Sequence, residues 1–112
     1  MRFVATLLLA GVLCSFGAHA QAPDGRALFI DAKKGNCLAC HQVPGEPAMV
    51  SKSNIGPPLS GVAARGHTPE SLRELLADPT RRNPASNMPP YGRHRILTEA
   101  EIEAIVRYVI AL

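Results

Sequence analysis

The sequence predicts an all-α domain of about three main helices, with long connecting loops that wrap a large ligand. Three observations point there. Two segments carry apolar residues at helical spacing behind N-terminal caps, and no segment alternates apolar and polar residues as a strand would. The 10 prolines and 9 glycines are scattered without a repeat and leave two loops far longer than compact domains usually hold. The 112 residues include three Phe, two Tyr and no Trp, so a core built from the chain alone would be thin unless another group filled it.

The length suits one domain. A net charge of +3, spread along the chain, is too weak for a nucleic-acid binder, which needs a dense basic stripe. With 46% apolar and 19% charged residues the chain is not a disordered tail.

Residues 1–20 read as a cleaved secretory signal. Met1 and Arg2 give a positive start, residues 3–13 an apolar run, and Ala18-His19-Ala20 the small residues that a signal peptidase reads. The run is about half the roughly 20 residues needed to span a bilayer. A retained interfacial anchor is the alternative, and Leu13 disfavours lipid attachment at Cys14. Residues 21–112 then form an exported domain in the periplasm, with no membrane association and only Cys37 and Cys40 as cysteines.

The first helix is expected over residues 24–34. Pro23 and Asp24 suit its start and Gly35 its stop, and Gly25 and Phe29 lie four apart on one face. Directly after it stands Cys37-Leu38-Ala39-Cys40-His41. The C-x-x-C-H spacing is the attachment signature of c-type haem. Two thiols two residues apart can each form a thioether to a haem vinyl group, and the adjacent imidazole can bind the iron. A structural zinc site would need further ligands from His67 or His94, neither at a zinc-like spacing. A thioredoxin-type centre would need surrounding strands.

A second helix is expected over about 69–77, with Thr68 as N-cap, Pro69 at the first position, Glu70 in the first turn and Leu72, Leu75 and Leu76 facing inward. Asp78-Pro79 ends it. The third helix begins with the capping box Thr98–Glu101. Ile102, Ile105, Val106, Val109 and Ile110 follow as one apolar stripe. The loops 42–67 and 79–97 lie between these helices, and a haem accounts both for their length and for the missing aromatic core.

An iron bound by His41 calls for a second axial ligand. Met88 stands in the stiff segment Asn87-Met88-Pro89-Pro90-Tyr91-Gly92, where prolines hold a thioether at low entropic cost. Met49 is too close in sequence to His41 to cross easily to the other haem face. The same loop carries Arg81, Arg82, Arg93 and Arg95 and no acidic residue, so it is either a solvated basic stretch, with one or two arginines paired with haem propionates, or a docking face for an acidic partner.

Gly25-x-x-x-Phe29, the C-x-x-C-H segment, Gly56-Pro57-Pro58-Leu59, the late Met88 and a terminal helix with Tyr108 together resemble class I cytochromes c over essentially all of residues 24–112. The resemblance implies one covalently bound haem c and a crossing of first and last helices at Gly25, with Phe29 and Tyr108 packed nearby. It also implies that the Pro57 carbonyl accepts the imidazole N–H of His41 and that Leu59 packs on the haem. A narrower set is similar to the SoxX family, the monohaem subunit of the SoxAX cytochrome of sulfur-oxidising bacteria: Asn36, Asn54-Ile55, Asn83-Pro84 and the run from Met88 through His94 to Ile96-Leu97. That resemblance implies a periplasmic heterodimer with a SoxA-like subunit. Such a complex oxidatively joins thiosulfate to a cysteine of the SoxYZ carrier, as an L-cysteine S-thiosulfotransferase, and passes electrons to a downstream cytochrome c or other acceptor. The chain itself then has no catalytic residue. A free-standing electron shuttle is the alternative function.

Overall fold

The structure is a computed structural model that describes residues 20–50 and 52–112, and the signal-peptide reading of residues 1–20 falls almost wholly outside them. Three α-helices follow in order: α1 Gly25–Ile30, α2 Pro69–Ala77 and α3 Glu99–Ile110. Short 3-10 turns at Cys37–Ala39 and Pro79–Arg81 complete the helical structure, and none of the described residues lies in a strand.

α1 starts where expected, with the Asp24 side chain accepting from the Ala27 N–H, but it ends four residues early. The cause is Asp31. Its carboxylate takes the Lys33 N–H at 2.8 Å, a local turn that competes with helix continuation. The chain then curls back, with Gly35 N donating to Leu28 O and Asn36 N to Asp31 O. α2 has the expected bounds. Its cap is a full capping box, because Ser71 reciprocates the Thr68 bond. The Thr98–Glu101 box opens α3.

α3 is the spine of the fold, and both other helices pack on it. Ile102, Ala104, Ile105, Val106 and Val109 are buried, while Ile110 is only partly so. α1 crosses α3 at Gly25, where an added Cβ would come within 2.0 Å of the Ala104 carbonyl oxygen. Only glycine permits this approach. Phe29 and Tyr108 meet edge to face beside the crossing, ring centroids 5.2 Å apart. Lys34–Glu101 ties the turn after α1 to α3, and Arg73–Glu103 ties α2 to α3.

The long loop 42–67 is held by its own bonds rather than by a sheet. Gln42 Nε2 donates to the carbonyls of Lys52 and Ser53, Leu59 N to Gln42 O, and Gly61 N to the Leu112 carbonyl. Glu46 anchors its first part to both terminal helices: it accepts from Arg26 on α1 and from the Tyr108 hydroxyl on α3. The later loop folds against α2, with Gly92 N donating to Leu76 O and Arg93 N to Ala77 O. Those bonds satisfy carbonyls at the helix end.

Candidate functional site

Asn36 adopts the left-handed region at φ 49°, a conformation asparagine tolerates, and so turns the chain into the Cys37–Ala39 segment. The Cys37 carbonyl then accepts from both Cys40 N at 3.1 Å and His41 N at 2.9 Å, which fixes the two thiols and the imidazole on one compact turn. Cys37 is buried, Cys40 half-buried, and the thiols are not joined. Burial pushes the Cys37 thiol up to about 12, so this is not the activated thiolate that a dithiol redox centre needs. Among the described residues no group of three or more His, Cys, Asp or Glu could hold a metal ion, which leaves the zinc alternative without its ligands.

His41 Nδ1 lies 2.7 Å from the Pro57 carbonyl oxygen. That carbonyl can only accept, so Nδ1 carries the proton and the Nε2 lone pair is left for a metal. Gly56 packs flat on the imidazole: a Cβ there would sit 2.4 Å from Cε1. Gly56 N also donates to Cys40 O at 2.9 Å, tying the loop to the cysteine turn. The ring is therefore gripped on its face and at one nitrogen.

A cavity of about 610 Å³ opens beside it. His41, Cys37, Pro57, Leu59 and Met88 line it, with Phe29, Leu72, Leu76, Ile105 and Val109 among its apolar walls. An adjoining cleft of about 300 Å³ shares Cys37, His41, Gly56 and Met88 and is bordered also by Cys40. The fold thus brings Cys37, His41, Pro57, Leu59 and Met88 around one cavity and places Cys40 on the cleft beside it. Met49 does not line it, and its sulfur instead lies 3.3 Å from the Val43 N–H. His94 is also absent from the lining, whereas His67 belongs to it.

The basic stretch is less uniform than its sequence. Arg82 pairs with Glu74 at 2.9 Å and Arg93 with Asp78 at 3.3 Å, so acidic groups supplied by α2 and its end answer two of the four arginines. Sequence reasoning also missed Tyr91, whose buried hydroxyl bonds the Gly35 carbonyl. Only its place beside Met88 could have hinted at it.

The sequence profile of the family described as cytochrome C oxidase, cbb3-type, subunit III matches residues 20–109. The chain belongs to this cytochrome c family. The family implies haem c and an electron-transfer role. This cytochrome c is 41% identical over 78 residues to an uncharacterized lipoprotein of Aquifex aeolicus (strain VF5), covering 70% of this chain and 37% of that protein. It is 28% identical over 98 residues to cytochrome c oxidase subunit 2 of Bacillus sp. (strain PS3), covering 81% of this chain and 26% of that protein. The cytochrome c therefore spans well under half the length of either relative. Its fold matches a chain in the crystal structure of SoxXA from P. pantotrophus with a TM-score of 0.67, 25% identity and 77% of each chain covered. Among the described residues no helix is long and apolar enough to cross a membrane.

Proposed function

We propose that this cytochrome c carries one haem, bound covalently through Cys37 and Cys40, with His41 as proximal and Met88 as distal ligand, and that it is the electron-accepting subunit of a SoxAX-type complex. The observation that carries the haem assignment is the His41–Pro57 bond at the wall of a cavity that Met88 also lines. The donor set fits haem c: two thiols on one turn, an imidazole with its tautomer fixed, a thioether, and apolar walls to which Leu59 contributes. Bound there, haem supplies a one-electron iron couple. The chain's own residues hold it, orient the proximal ring and exclude water from it. Histidine–methionine ligation leaves no open iron position, which favours electron transfer over substrate chemistry.

The fold and identity shared with SoxXA, together with the motif run from Met88 to Leu97, support the assignment to a SoxAX-type complex. On this reading a SoxA-like partner performs the transfer of thiosulfate to the cysteine of a SoxYZ carrier. The present chain takes up the electrons and passes them to a downstream cytochrome c or other acceptor. Residues 1–20 direct the chain out of the cytoplasm and are removed, and residues 21–112 work in the periplasm. The match to part of a cytochrome c oxidase subunit supports electron transfer without pointing to a SoxA-like partner, and the second reading is a free-standing electron shuttle.

Affinity capture of the tagged protein from its own cells separates the two. The SoxAX reading predicts a larger haem-staining polypeptide in stoichiometric yield at low salt. Recovery of the small cytochrome alone from cells grown on thiosulfate favours the shuttle.

A further inference from the structure

The two sides of Met88 are held differently. Ahead of it the chain makes short-range turns, with Ala85 N and Ser86 N donating to Asn83 and Met88 N to the Ser86 hydroxyl. Behind it stand Pro89 and Pro90, whose rings fix φ and leave the backbone few ways to bend. Next comes Tyr91, 5% exposed, whose hydroxyl donates to the Gly35 carbonyl at 2.6 Å. The Tyr91 carbonyl accepts from both Ile96 N and Leu97 N, which closes the chain beyond it into a compact turn. The acceptor is as firmly placed. Gly35 N donates to Leu28 O on α1, and a Cβ at Gly35 would lie 2.8 Å from that oxygen and 3.1 Å from the Cys37 sulfur. The two prolines thus form a short strut between Met88 and a side-chain bond that reaches the cysteine turn.

This proposal rests on the reading of Met88 as distal ligand given above. Methionine is flexible, with three rotatable bonds, so its own side chain does little to keep the sulfur in one place. We propose that Tyr91 is the positioning residue for Met88: through the Pro89-Pro90 strut, its bond to Gly35 keeps the thioether at the iron and closes the ferric site to small ligands from solution. Met88 leaves its place only if the strut moves, and that movement breaks a buried bond and strands its carbonyl. An outer group that fixes a ligand in this way keeps the same ligand set through the redox cycle.

Imidazole binding to the ferric holoprotein tests it, read as loss of the near-infrared charge-transfer band of methionine ligation. Tyr91→Phe keeps the ring and removes the bond. It is expected to lower the imidazole concentration that halves the band by about tenfold, the scale of one buried hydrogen bond. A band already weakened in Tyr91→Phe before imidazole is added supports the same role at larger amplitude. Pro90→Ala, which loosens the strut and leaves the bond, is expected to lower the midpoint to a smaller extent. Val106→Ala is the control. Val106 is buried in α3 and outside the cavity lining, so its truncation weakens the whole fold without touching the latch. It is expected to leave the imidazole midpoint unchanged. A wild-type midpoint in Tyr91→Phe, or in Pro90→Ala where Tyr91→Phe yields no holoprotein, overturns the positioning role. So does an equal fall in Tyr91→Phe and Val106→Ala, which makes the bond a part of general stability only. A wild-type ferric protein that lacks the band overturns the Met88 reading and this role with it, before any variant is compared.

Discussion

The Tyr91 hydroxyl donates a 2.6 Å hydrogen bond to the Gly35 carbonyl, tying the loop that carries Met88 to the turn that carries Cys37. The bond joins residues 56 positions apart and is buried at both ends. Burial, and the adjacent Cys37 thiol, push the phenol upward, so it stays a donor throughout the ordinary pH range. Tyr91→Phe keeps the ring but strands the carbonyl. The expected cost is about 1–3 kcal/mol, read as a lower denaturation midpoint with an unchanged m-value.

The crossing of α1 and α3 is set by Gly25. An alanine there drives its methyl into the Ala104 carbonyl, and the helices must separate. Gly25→Ala is expected to destabilise by about 1–3 kcal/mol or more, a fall in thermal midpoint of about 4–8 °C per kcal/mol for a domain of this size. Gly45→Ala, where a Cβ meets nothing within 4 Å, is expected to cost less despite its φ of +83°.

Acid is expected to weaken the loop that follows the haem motif. The bond from Arg26, then the Ala48 N–H and the Tyr108 hydroxyl, hold the Glu46 carboxyl down at about 2. Its folded value lies below the unfolded one, so the stabilisation is complete above the ordinary glutamate range and is lost as pH falls from about 5 through 2. Wild type and Glu46→Gln are expected to differ most near neutrality and to converge toward pH 2 in chemical denaturation. A constant difference across that range contradicts the ion-pair origin.

Local signals carried most of what could be read from the sequence. Thr98 with Glu101, Thr68 with Pro69, and Asp78-Pro79 mark helix ends through bonds made within a few residues, so the bounds of α2 and the start of α3 were legible. The end of α1 was not, because Asp31 serves a turn as readily as a helix, and the competing bond to Lys33 N decides. The cysteines and His41 stood out through spacing, Met88 through its proline-stiffened segment, and the Gly56-Pro57 loop through the resemblance to class I cytochromes c. The grip of Glu46 on Arg26 and Tyr108 and the Tyr91–Gly35 bond depend on contacts between distant segments, which no local pattern encodes.

Met88 and Met49 are distinguished by place. Met88 lines the cavity with His41, whereas the Met49 sulfur lies against the Val43 N–H. Met88→Ala is expected to abolish the weak near-infrared charge-transfer band of methionine-ligated ferric haem and to lower the potential, while Met49→Ala keeps both. Retention of the band in Met88→Ala assigns the distal ligand elsewhere.

Covalent haem on the Cys37–Cys40 turn is the claim on which the rest depends. The protein is produced in cells competent in cytochrome c maturation, denatured, and run on a gel stained for haem peroxidase activity, beside a Cys37→Ala/Cys40→Ala variant. The account predicts a haem-stained band for wild type that survives denaturation and is absent from the double variant. A wild-type band that takes protein stain and no haem stain contradicts it.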